Sequence, residues 1–167
     1  MISLATIILT ATAVNGSSEV DFVNSNSVND WSVAHQMSGM NCITQVSFDS
    51  DTIATGCGWA ANVAHQKAYI FNKTTSWPST PSVTIDGYTA KNSFGYGVSV
   101  SGNELVVGSG GYGGGKSDSQ LYVFKRPSSN QAWPTTASYI VSGQSSVWDF
   151  GWKIEQNAES TSMIVGA

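Results

Sequence analysis

The most chemical-looking stretch of the chain is a glycine-rich run, Gly108-Ser109-Gly110-Gly111-Tyr112-Gly113-Gly114-Gly115-Lys116-Ser117. Gly110 through Ser117 fits G-x-x-x-x-G-K-S, and Gly108 through Gly113 fits G-x-G-x-x-G, the two common phosphate-cradling patterns. Both need a helix directly after the loop, because its N-terminal N–H groups and dipole hold the phosphate. The residues that follow here, Asp118 to Phe124, alternate like a strand and run on to Pro127. The run therefore reads as a flexible hairpin loop, and nucleotide binding through Gly110–Ser117 ranks last among the functional readings.

His35 and His65 with Cys42 and Cys57 contain the atoms of a zinc set, but the spacings are long and irregular and no C-x-x-C pair is present. A disulfide competes with that reading. With the hairpin turn at Asp49-Ser50, Phe48 faces Asp51 and Cys42 falls opposite Cys57. Opposed strand residues lie about 4.5–5.5 Å apart at Cα, a separation a disulfide bridges. A single bulge between them would break that register. Hydrolysis needs a nucleophile with its base, or paired carboxylates. The 11 acidic residues form no recurring pair, and G-x-S-x-G is absent. No enzyme activity, cofactor or metal is expected. Asn15-Gly16-Ser17 and Asn72-Lys73-Thr74 are N-glycosylation acceptors, Asn72 the better placed at a strand end.

The elements that position these residues must be sheets. Charged residues are 11% of the chain, under half the usual share of about 25%, too few for the outer faces of solvent-exposed helices. Seventeen glycines among many Ser, Thr and Asn residues mark frequent tight turns. The 41% of hydrophobic residues suffices for a packed core. A net charge of −4 and a pI of about 4.8 argue against nucleic acid as a partner. At the start, the apolar stretch to Ala11-Thr12-Ala13 fits a secretory leader over residues 1–13 with an A-x-A cleavage site, although no basic residue precedes it. The competing reading is a buried N-terminal strand. A membrane anchor would have to lie beyond residue 167.

The chain repeats itself. Phe94-Gly95 and Phe150-Gly151 are 56 residues apart, as are Trp77-Pro78 and Trp133-Pro134. Tyr69-Ile70-Phe71 matches Tyr122-Val123-Phe124 at a distance of 53. Asp51 to Gly56 matches Asn103 to Gly108 at 52. Alternation and turn residues predict four strands in each unit: 43–48, 52–56, 67–72 and 82–86, then 95–100, 104–108, 120–125 and 137–142. Two more are expected at 151–156 and 160–166, and a lone fourth strand at 30–35. No helix is expected beyond the leader. Four strands in about 50 residues is the unit of a β-propeller.

Phe94-Gly95 opening a first strand, with Leu105-Val106-Val107-Gly108 closing the second, resembles the FG-GAP repeat. So does Phe150-Gly151 through Ile164-Val165-Gly166-Ala167. The resemblance covers roughly residues 30–167, after a short segment at 14–29. In the first unit Cys42-Ile43 stands where Phe-Gly is expected. The resemblance implies an all-β propeller related to the integrin α-chain head, extracellular, non-catalytic and used for protein or cell-surface contacts. Some family members hold calcium between the first and second strands. Asp49-Ser50-Asp51, Ser101-Gly102-Asn103 and residues 156–159 lack the carboxylates such a loop needs, so calcium is not carried over.

In that fold the loops after the second and fourth strands share one rim. They carry Trp59, Asn62, His65, Tyr88, Tyr112, Lys116 and Trp148. Aromatic and polar side chains together suit a protein ligand or a cell-surface glycan, so a carbohydrate-binding or carbohydrate-active propeller is the second reading. Trp59 and Trp148 have packing between sheets as an equal alternative. About two and a half units fall short of the four to eight a ring takes. The chain is therefore expected to be the N-terminal part of a longer propeller, whose last unit the strand at 30–35 would complete.

Overall fold

A computed structural model of the chain describes residues 8–14, 17–27, 30–58, 66–87, 93–110, 119–143 and 149–166, with side chains from Gln36 onward. Among the described residues there are thirteen strands and no helix. At the front, β1 (Ile8–Val14), β2 (Ser17–Ser27) and β3 (Asp30–Met40) form a three-stranded antiparallel sheet in that order. Residues 8–13, read from sequence as the end of a leader, thus lie in a strand. Trp31–Ala34, expected as an isolated fourth strand, lies inside β3 and pairs with β2. The reason is local: two eleven-residue strands joined by a short connection pair with each other before either finds a distant partner.

Two four-stranded antiparallel sheets follow. The first is β4 (Gln45–Asp49), β5 (Thr52–Gly58), β6 (Gln66–Asn72) and β7 (Val83–Asp86); the second is β8 (Val98–Ser101), β9 (Glu104–Gly108), β10 (Gln120–Lys125) and β11 (Tyr139–Ser142). Each is ordered as in the chain, every strand pairing with the next. A ribbon of β12 (Lys153–Gln156) and β13 (Met163–Gly166) ends the array. The sheets described do not close into a ring. The strands predicted at 104–108 and 120–125 match residue for residue, and the other predicted strands of the repeats differ by one to three residues at an end.

Every residue of β5 and of β9 is buried. Each is flanked by strands on both edges and covered on both faces, which explains why, apart from Glu104 at the start of β9, they hold only small and apolar residues. Ala54, Ala68, Ile70 and Ile85 of the first sheet pack on Phe94, Val98, Val100, Leu105, Val107, Tyr122, Phe124 and Trp133 of the second unit. On the other side of the first sheet, Met37 and Met40 from β3 join Ile53, Tyr69, Phe71 and Trp77. Val106, Leu121 and Val123 pack against Ile154 of the ribbon.

The Phe-Gly pairs are where successive sheets lock together. In residues 93–96 and 149–152 the first residue has positive φ (Ser93 47°, Asp149 60°) and so does the glycine (Gly95 93°, Gly151 92°). The turn closes by Tyr96 N donating to Ser93 O (3.1 Å) and Trp152 N donating to Asp149 O (2.9 Å). This turn pushes the Gly95 carbonyl onto Gly56 of the preceding sheet, and the Gly151 carbonyl onto Gly108. A Cβ at Gly56 or Gly108 would overlap that carbonyl oxygen, so only glycine fits. Phe94 itself is fully buried, its ring edge-on to Tyr122 (5.2 Å) and Phe124 (6.4 Å). Backbone-to-side-chain bonds repeat as well: Val100 N donates to Ser47 Oγ (2.9 Å), and Gln156 N to Ser99 Oγ (3.2 Å).

Candidate functional site

The stems of the four rim loops are described, and in each repeat they converge at one end of the sheet. Gly58 pairs with Gln66, and Gly87 N donates to Gln66 O (2.7 Å). A Cβ on Gly58 would strike the Ser93 carbonyl. In the second unit Gly143 N donates to Ser119 O (2.9 Å), and Gly110 lies against the carbonyls of Asp149 and Phe150. The proposed contact residues themselves, Trp59, His65, Tyr88, Tyr112, Lys116 and Trp148, lie outside the described residues, as does Asn62. So does the run from Gly111 to Asp118. The described chain resumes at Ser119 and enters strand β10 at once. The amide atoms of Gln66 and the hydroxyl of Ser93 are buried and have no hydrogen-bond partner among the described residues.

Cys42 and Cys57 are joined in a disulfide with a Cα separation of 5.1 Å. The register that brings them together differs from the expected one. The two-residue turn is Ser50-Asp51, so Phe48 pairs with Ile53 and Gln45 with Gly56. Ser50 takes the left-handed conformation (φ 43°) that a tight hairpin turn demands. The chain leaves the ladder at Thr44, whose N–H donates to Gly56 O (2.7 Å), and residues 41–43 bend back beside Cys57. Thr44 N on Gly56 O matches Gly95 N on Gly108 O (3.0 Å) and Gly151 N on Gly166 O (3.0 Å), so Ile43 stands where Phe94 and Phe150 stand. The disulfide ties the residue before it, Cys42, to the end of the second strand.

At the opposite end of the sheets lies a polar cluster that sequence reading did not single out. Arg126, whose side chain is 2% exposed, inserts between the two sheets. Its guanidinium donates to Asn103 Oδ1 (3.2 Å), Asn72 Oδ1 (3.5 Å), Thr52 Oγ1 (3.3 Å), Gly102 O (3.4 Å) and Asp51 Oδ1 (3.4 Å). The Trp133 ring lies over the guanidinium carbon at 4.5 Å, and Trp133 Nε1 donates to Asn72 Oδ1 (3.1 Å). Arginine suits the place because one planar fork reaches five acceptors and stacks on an aromatic face. The first unit repeats the motif: Lys73 Nζ sits 5.8 Å above Trp77. A signal was present in sequence, since both cations stand two residues after the recurring Tyr-x-Phe and a few residues before the recurring Trp-Pro.

Two polar clefts open at this end. One, of about 460 Å³, is lined by Asp51 and by residues 72–74 and 129–132, from both sheets. The other, of about 380 Å³, lies between the second sheet and the ribbon and includes Glu104, Lys125 and Glu159. Glu104 is nearly buried and receives Lys125 Nζ (2.8 Å) and Gln156 Nε2 (2.9 Å). The hydrogen bond to Glu104 raises the Lys125 pKa above its usual 10.5. Compared with protein-family models, the chain matches none. A search of curated proteins finds no match either.

Proposed function

We propose that the chain is part of a secreted, non-catalytic β-propeller of the FG-GAP kind, with its units as blades, and that it serves protein or cell-surface contacts. The observation that carries the reading is the repeated lock, in which the Phe-Gly carbonyl of one sheet seats on the second-strand glycine of the sheet before it. The lock is directional, so it specifies a stack that can only grow in one sense. It ties the two halves of the recurring sequence motif to each other across sheets.

The last ribbon repeats the receiving half of the lock. Ala54 and Val106 face the next sheet and are fully buried, while Ile164, at the matching position, is 79% exposed. The atoms nearest to a Cβ on Gly166 belong to Lys153, at 3.4 Å or more, which is ordinary contact. This face is suited to a further Phe-Gly blade. The disulfide is compatible with an oxidising compartment, which favours secretion through the leader at residues 1–13. The rim carrying Trp59, His65, Tyr88, Tyr112, Lys116 and Trp148 is the proposed contact surface.

The test is adhesion of the labelled chain to cells treated beforehand with protease or with glycosidases. Loss of binding after protease alone is the expected result. Loss after glycosidases alone would favour the carbohydrate-binding reading instead, and no binding to untreated cells would overturn the contact function.

A further inference from the structure

We propose that Asn72 carries an N-linked glycan whose first sugar lies in the cleft between the first two sheets. The inference rests on the secretory reading above and adds a modification site with a structural role. Asn72, Lys73 and Thr74 form an acceptor sequence, and all three line the cleft of about 460 Å³. That volume is in the range of sites that hold small ligands.

The hydrogen bonds of the Asn72 side chain all fall on Oδ1. Trp133 Nε1 donates to it at 3.1 Å, Thr52 Oγ1 at 3.3 Å and Arg126 at 3.5 Å. The carbonyl end of the planar amide is thus tied into the wall between the sheets. Nδ2, on the same carbon, is the other end, and it is not among the buried side-chain atoms that lack a partner. Asn72 lines the cleft, and Nδ2 is the atom that glycosylation uses. The facing wall supplies Asn130 and Gln131, both exposed, from the loop between β10 and β11. Side-chain amides there, with Lys73 and Thr74 beside the attachment point, can satisfy the hydroxyls and acetamido group of an N-acetylhexosamine.

The transfer takes place on the unfolded chain. Asn72 Nδ2 bonds to the anomeric carbon of an oligosaccharide carried on a lipid diphosphate. The carbon–oxygen bond to phosphate breaks, and the lipid diphosphate departs with its electron pair. Nδ2 gives up one proton to the transferase, and nothing is oxidised or reduced. Folding then docks Oδ1 against Trp133 and lays the first sugar across the two sheets.

The test uses the full chain secreted from eukaryotic cells behind an added leader, with Asn15→Gln removing the other acceptor. Intact mass should show one glycan, lost in Thr74→Ala, which leaves Asn72 and its hydrogen bonds in place. An unmodified Asn72 in the secreted chain would overturn the site. The glycan's removal by a peptide amidase should be slower on the native than on the denatured chain by roughly tenfold or more, because cleavage waits on local opening. Asn130→Ala with Gln131→Ala should bring the native rate up. Equal native and denatured rates would overturn the seating. Secretion that depends on the added leader counts against the secretory reading alone.

Discussion

Arg126 shows how one side chain can hold two sheets together without taking part in any strand ladder. Its five acceptors come from β5, from the end of β6, from the β4–β5 turn and from the β8–β9 turn, and Trp133 covers its face. Removing a buried charge's partner groups strands the rest without solvent. Arg126→Met is expected to destabilise the chain by about 3 kcal/mol, read from the midpoint of urea unfolding. Arg126→Lys should recover less than half of that, since an ammonium reaches fewer acceptors and does not stack. A loss below about 0.5 kcal/mol, the scale of an ordinary surface substitution, would reduce Arg126 to a bystander.

At the scale of elements, the same glycine plays different parts according to what lies above it. Gly108 is pressed by the Gly151 carbonyl, while the atoms nearest to a Cβ on Gly166, at the matching position, are those of Lys153 at ordinary contact distance. Gly108→Ala must therefore separate two sheets, at a cost of about 3 kcal/mol or more, the upper range for overpacking. Gly166→Ala should change stability by less than about 0.5 kcal/mol. Thermal unfolding of the pair, side by side, checks the contrast, and similar losses in both would contradict the lock. The first unit adds a disulfide beside its lock. Cys42 and Cys57 are 15 residues apart, a loop for which the chain-entropy estimate is about 3 kcal/mol. The double substitution to serine should lower the urea midpoint accordingly.

For the whole molecule, stability comes from stacking rather than from any single sheet. Three clusters of buried residues run through the array, two of them spanning neighbouring sheets and the third joining β3 to the first sheet. Repeat arrays of this kind gain stability from each interface between neighbours. Val106 lies in a filled interface, whereas Ile164 is 79% exposed on the outer face of the ribbon. Val106→Asp should abolish cooperative unfolding, and Ile164→Asp should leave the 167-residue chain unfolding as before. Near-ultraviolet circular dichroism during a thermal ramp distinguishes these outcomes. If Ile164→Asp were as damaging as Val106→Asp, the ribbon's outer face would not be free.

Sequence alone determined the all-β class, the four-strand period and most strand limits. Alternation and turn residues are local, and Val106, Tyr122 and Phe124 announce their strands without help from the rest of the chain. It also brought Cys42 and Cys57 together, though by a register that the turn at Ser50-Asp51 replaced. The pairing of Trp31–Ala34 with β2 was not readable, because several strands compete for one edge and only the assembled sheet settles the choice. The role of Phe-Gly was equally hidden. The motif repeats in the sequence, but that Gly95 and Gly151 press on Gly56 and Gly108 depends on residues 39 and 43 positions apart meeting across two sheets. Arg126 is the same case: its acceptors lie up to 75 residues away. Period and pattern are properties of a strand, whereas locks and buried clamps are properties of sheets already stacked.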